Sequence, residues 1–173
     1  MKNNIFHLII FINSLLFIGC GIYSFTGAAI PVGTKTFQVD YFENVAGNKP
    51  GSTVEPGLDR DFTLALQDLI LNQTNLSLVK NDGDLIYSGQ ITTYRVSPMS
   101  ATAENTASQN RLTMGVSVNY TNTKNDEDSF NQSFSFFYDF PADLQVFDVK
   151  SDAHKVLLDR ITQDIFNASL AKW

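Results

Sequence analysis

The sequence predicts an α+β protein, a two-layer sandwich in which two helices pack on one face of a mostly antiparallel sheet of four strands or slightly more. Three observations carry this reading. Residues 111–121, RLTMGVSVNYT, alternate strictly between apolar and small or polar side chains, the period of a half-buried strand. Two other segments, 58–75 and 151–173, space their apolar residues at helical intervals instead. The order strand, helix, several strands, helix is that of helices laid over one sheet. With 173 residues, 43% of them apolar and 17% charged, the chain can build one core, and no internal repeat divides it.

The first element is a leader rather than part of the fold. Residues 1–19 carry one positive charge, Lys2, and then IFHLIIFINSLLFIG. Interrupted by His7, Asn13 and Ser14, the run falls short of the about 20 apolar residues that a membrane span needs. A basic start, a short apolar region and small residues at its exit describe a secretory signal peptide. It ends at Cys20, the only cysteine, in the tetrapeptide FIGC after Leu15 and Leu16. These residues resemble the bacterial lipobox, in which a small residue precedes a cysteine whose sulfur takes a diacylglyceride before cleavage. The expected modification is therefore an N-acyl diacylglycerol group on Cys20, with no other cofactor. The alternative is a buried, inert cysteine in a membrane-anchored helix; an intrachain disulfide is excluded for want of a second thiol.

Residues 20–35 read as an extended, lipid-anchored leader, because Gly27, Pro31 and Gly33 oppose helix. A single domain follows over 36–173. Its first strand, TFQVDYF (36–42), places Phe37, Val39 and Tyr41 on one side. VAGNKPGSTVEPG is a loop by its Gly, Pro and Asn content. The helix over 58–75 takes Asp59 as N-cap and lines up Phe62, Ala65, Leu66, Leu69 and Ile70 as a core stripe. LSLV (76–79) is a short strand, NDGD a turn, and residues 84–96 a strand with Leu85, Tyr87, Ile91 and Thr93 on one face. A polar stretch covers 97–110. The next strand buries Leu112, Met114, Val116, Val118 and Tyr120, NTKNDEDS forms a charged hairpin loop, and FNQSFSFFYDF returns with Phe130, Phe134, Phe136 and Tyr138 inward. The last helix, from Ser151 as cap, presents Leu157, Leu158, Ile161, Ile165 and Ala168.

One sheet face is thus aromatic and β-branched, the other mostly Ser, Thr, Asn and Gln, as in an antiparallel sheet covered on one side. Catalytic constellations do not assemble. Beyond the signal peptide one histidine remains, His154, expected in the first turn of a helix and solvated, and no zinc or Cys/His spacing exists. Asn81, Asp82 and Asp84 lack the glutamate that completes a calcium loop and read as a turn. Asp126, Glu127 and Asp128 read as a solvated hairpin tip. The expectation is a protein that is not an enzyme and holds no metal. The chain has 12 basic and 18 acidic residues; without Lys2 the balance is 11 against 18, about −7. That field opposes general binding to nucleic acid or to an anionic membrane surface.

Four stretches carry a family resemblance: CGIYSFTGAAIPVGTKTFQVDYFENVA, DRDFTLALQDLILNQTNLSLV, SGQITTYRVSP and NRLTMGVSVNYTN. Their most specific parts are the CGxYSFxG leader, the F-x-V-x-x-F strand, the G-x-I-x-x-Y strand and the RLT strand. Together they resemble the LptE family of Gram-negative lipopolysaccharide-assembly lipoproteins, in its shorter form. The resemblance implies two helices over a four-stranded sheet, an outer-membrane lipoprotein facing the periplasm and the lumen of an LptD-type β-barrel, and a role as that barrel's plug and assembly partner. It also implies that lipopolysaccharide or lipooligosaccharide is delivered to the outer leaflet. Gly21, where an inner-membrane retention signal would have Asp, agrees with an outer-membrane address. Two basic residues flank the polar stretch, Arg95 and Arg111, either as glycolipid phosphate contacts or as surface arginines paired with carboxylates. Lys80 and Lys124 form a second cluster at the opposite sheet end. The alternative function is that of a periplasmic accessory, a pilot or scaffold, of another envelope machine.

Overall fold

The computed structural model describes residues 30–99 and 108–171. The signal peptide, Cys20, the leader up to residue 29 and residues 100–107 of the polar stretch lie outside the described residues. The elements are β1 (Thr36–Val39), β2 (Glu43–Asn44), α1 (Leu58–Gln73), β3 (Ser77–Leu78), β4 (Leu85–Met99), β5 (Gln109–Asn122), β6 (Phe130–Pro141) and α2 (Val146–Leu170). Short 3-10 turns stand at Ala46–Asn48 and Asp126–Asp128.

Six strands form one sheet in the order β3-β1-β4-β5-β6, with β2 pairing β4 past the end of β1. The expected α+β two-layer architecture is present, but the sheet is wider than four strands and mixed. Its three long strands, β4, β5 and β6, are antiparallel, whereas β1, β2 and β3 pair in parallel. The reason is the connection: the chain passes from β1 to β3 through α1, and a crossover helix returns the chain in the same direction.

Four local expectations shift, each for a physical reason. β1 stops at Val39, so Tyr41 is 60% exposed and Phe42 enters the core in its place. The Phe42 ring meets Phe62 of α1 edge to face at 5.0 Å, and its N–H donates to the buried Thr63 hydroxyl. In β4, a bulge between Ile91 and Thr93 inserts one residue, so that Tyr94 and not Thr93 faces inward after Ile91. α1 is capped by Gly57, whose φ of +81° suits glycine, rather than by Asp59. Asp59 lies in the first turn, where a carboxylate complements the helix dipole. α2 starts at Val146, five residues before Ser151, because the Asp148 carboxylate accepts the Gln145 N–H at 2.9 Å and closes the first turn.

The core lies between the sheet and both helices. Tyr87 and Tyr120 pair across β4 and β5 with ring centroids 5.0 Å apart, and the Tyr87 hydroxyl donates to Ser169 of α2 at 2.9 Å. The expected inward residues of β5 are all buried. Fully burying side chains of this size stabilises by roughly 1.5–3 kcal/mol each, so the five inward positions of β5 alone make it the structural spine.

Candidate functional site

The helices cover one face of the sheet, and the register of the three long strands arranges the other face in rows. Ser88, Asn119 and Asn131 form one row; Gln90, Ser117 and Ser133 the next; Thr93, Gly115 and Ser135 a third. These rows are uncharged and hydrogen-bonding. Past them, Arg95 and Thr113 stand beside Phe137, and Ser97 and Arg111 beside Asp139. The open face therefore changes character along its length, from neutral polar to a patch of arginine and aromatic surface.

The structure brings Arg95 and Arg111 to one end of adjacent strands, as their flanking of the polar stretch predicts. Their surroundings differ. Arg111 donates through Nε and Nη2 to the two carboxylate oxygens of Asp139, at 2.7 and 2.8 Å, and its guanidinium lies 3.5 Å from the centroid of the Phe137 ring. The fork holds the Asp139 carboxyl below the usual carboxylate range. Arg95 is exposed and joins no ion pair among the described residues. Its Cδ lies close to Gly51, at a distance of 3.5 Å from where a Cβ would stand there. At the opposite end of the sheet Lys124 pairs with Asp84 at 2.9 Å.

His154 is neither solvated nor in the first turn. It is half-buried, its Nε2 lies 2.9 Å from the Tyr94 hydroxyl, and burial pushes its pKa down. The early start of α2 explains the difference, since it moves His154 inside the helix and under β4. Beside this pair, Lys150 of α2 forms an ion pair with Glu55, tying the loop before α1 to the second helix. No sequence signal marked that latch, because both partners sit in segments whose polar composition reads as surface. The faint Asn81, Asp82 and Asp84 pattern is a turn, with Asp82 at φ +56°.

This arrangement defines a two-layer α+β protein whose distinguishing feature, among the described residues, is a broad hydrogen-bonding sheet surface. Among the described residues no group of three or more His, Cys, Asp or Glu gathers to hold a metal, and no helix is long and apolar enough to cross a membrane. The LptE family model, described as lipopolysaccharide-assembly, matches residues 34–169, and the chain belongs to that family. Its role accordingly lies in lipopolysaccharide assembly, which in this family is not an enzymatic one. No curated protein sequence matches the chain. Among solved structures, a hypothetical protein from Chlamydia trachomatis is similar at 9% identity and a TM-score of 0.53, covering 80% of this chain and 99% of that one. At this identity the likeness is one of fold. Lipoprotein B from Nitrosomonas europaea is similar at 14% identity and a TM-score of 0.46, covering 87% and 86%. The rare lipoprotein B from Shewanella oneidensis is similar at 14% and 0.43, covering 76% and 89%.

Proposed function

We propose that the chain is an outer-membrane lipoprotein, processed after residue 19 and held by diacylglycerol and N-acyl chains on Cys20, that plugs an LptD-type β-barrel. In that position it supports assembly of the barrel and assists passage of lipopolysaccharide or lipooligosaccharide to the outer leaflet. Residues 20–35 serve as the tether and 36–173 as the plug domain.

The observation that carries this reading, within the family, is the open sheet face. A barrel lumen is lined by polar side chains, and the rows of Ser, Thr, Asn and Gln can exchange hydrogen bonds with such a wall without placing unpaired charge against it. At the far end of the same face, Arg95 supplies a cation for a glycolipid phosphate, and Arg111 would share its guanidinium between that phosphate and Asp139.

The test is affinity purification of the tagged full chain from detergent-solubilised outer membranes, with mass spectrometry of stoichiometric partners. One large LptD-type barrel at equal stoichiometry is the expected result. A different barrel, a ring or no partner would overturn the plug reading and leave the accessory one.

A further inference from the structure

Exposed apolar side chains gather along one groove on the helix-covered side of the sheet. The groove runs between α1 and the short edge strand β3, is lined by Val39, Val79 and Gln67, and has a volume of about 420 Å³. Its rims are Tyr41 and Leu78 on the sheet and, on α1, Leu64 and Leu71, which flank Gln67 at helical spacing. These four side chains are 39–60% exposed. Surface leucines are ordinary one at a time; a row of apolar groups along a cleft marks a place that another segment covers.

The chain arrives at the foot of this groove. Just before β1, the Lys35 carbonyl accepts the Ser77 N–H of β3 at 3.0 Å. Ahead of it a turn, closed by the Thr34 N–H on the Pro31 carbonyl at 3.1 Å and carrying Gly33 at φ +87°, reverses the chain, and Ile30 packs against the core. Residues upstream of Ile30 therefore start back along the domain, not away from it. Residues 20–29 can span about 33 Å when extended, well beyond the about 10 Å that separates Leu71 from Leu64 along the helix. Residues 20–34 carry no charge, and Tyr23 and Phe25 alternate with Ser24 and Thr26, the pattern of an extended segment with one apolar side.

We infer that the leader docks in this groove through residues 23–25, Phe25 between Leu71 and Leu78 and Tyr23 between Leu64 and Tyr41. Alternate side chains of an extended segment stand about 6.6 Å apart, so both rings fall within the stretch of groove that the two leucines of α1 bound. The neighbouring groove, between α1 and α2, is the poorer fit: Asp68 and Asp159 line it, and the uncharged leader brings no cation to either. Docking shortens the proposed tether. Of residues 20–35, only 20–22 are then left free between the anchor and the domain, and the acylated end emerges beside the helix layer. The groove is on the helix-covered side and the proposed plug contact on the open face, so the inference does not depend on the barrel reading.

Chymotrypsin, which cuts after aromatic residues, reads the docking on the full chain extracted from membranes in detergent. Cleavage after Tyr23 and Phe25, followed by mass spectrometry, is expected to be slow in wild type. Combining Leu71→Lys with Leu78→Lys, both at exposed rim positions, is expected to speed it at least about tenfold with an unchanged circular dichroism spectrum. Detergent shields the leader equally in both proteins, so the difference reports the groove. Paired cysteines then locate the segment: on mild oxidation Phe25→Cys is expected to form a disulfide with Leu71→Cys and none with Gln163→Cys, which lies in the neighbouring groove. Wild-type cleavage as fast as that of the double lysine variant, or a Phe25→Cys link to position 163 or to neither position, would each overturn the inference. Neither readout involves a barrel, so its failure is distinct from failure of the plug reading.

Discussion

Asp84 fastens the ends of three strands. Its carboxylate accepts the N–H groups of Lys35 and Thr36 at 2.8 and 3.1 Å and pairs with Lys124 at 2.9 Å. Its own N–H donates to the Thr36 hydroxyl, and its carbonyl accepts from both the N–H and the hydroxyl of Thr123. One residue therefore joins the start of β1, the start of β4 and the turn after β5. The pairing with Lys124, reinforced by the backbone donors, holds the carboxyl well below the usual carboxylate range. A depressed folded-state pKa means that the native state binds the proton less readily than the unfolded chain. The stabilisation is then complete above the unfolded value, about 3.9, and is lost as the pH falls from there toward the folded value. Asp84→Asn is expected to lower Tm at neutral pH, with the gap to wild type narrowing as the pH drops below about 4. Thermal melts of both proteins across that range test this; equal Tm values at neutral pH would show that the carboxylate charge contributes nothing. In sequence this aspartate is visible only as part of a turn, since all its partners except the adjoining segment lie 39 or more residues away.

The elements were more legible than their joints. Strict alternation in 111–121 identified β5 because both of its neighbours are long and antiparallel, leaving its pleat undisturbed. In β4 the same rule fails after Ile91, where the bulge adds a residue, yet the spacing of G-x-I-x-x-Y already contains that irregularity: Ile91 and Tyr94 are three apart and both buried. F-x-V-x-x-F is the same kind of trace, with Phe37, Val39 and Phe42 buried and the break falling at Tyr41. The parallel pairings of β1, β2 and β3 were not legible, because strands of two to four residues carry too little periodicity and their order depends on the path through α1. The first residue of G-x-I-x-x-Y has its own cause. A Cβ at Gly89 would stand 2.0 Å from the Ser117 carbonyl oxygen and 2.7 Å from a carbon of the Phe42 ring. Backbone on one side and a fully buried ring on the other leave neither able to yield. Gly89→Ala is expected to cost about 1–3 kcal/mol, measured as a lowered urea midpoint at unchanged m-value. A loss under about 0.5 kcal/mol, the range of ordinary surface substitutions, would mean that β4 and β5 can part there without consequence.

At the scale of the whole molecule, the proposed membrane address raises the question of how a domain with an acidic net charge and no described membrane-crossing helix would be held there. Electrostatic attraction to anionic lipid has the wrong sign. The uncharged rows of the open face lack the apolar area that interfacial burial requires. What remains is the proposed anchor at Cys20, and its energetics suffice: each buried methylene contributes roughly 0.8 kcal/mol, one acyl chain binds marginally, and two or more hold stably. The proposed plug surface and the proposed anchor lie in separate parts of the chain, so their contributions can be separated. Cys20→Ala is expected to take the protein out of the outer-membrane fraction, because cleavage waits on acylation and the uncleaved signal segment stays attached, while leaving the melting temperature of the domain unchanged, since every buried core residue named above lies between Phe37 and Leu170. Fractionation of cells lacking any other copy of the protein measures the first expectation, and a thermal melt of the detergent-extracted variant the second. Retention of the alanine variant in a strain that also lacks the barrel would overturn the anchor. Retention only when the barrel is present would instead show that the sheet face holds the protein at the membrane once the two have met, and that the lipid serves mainly to bring them together.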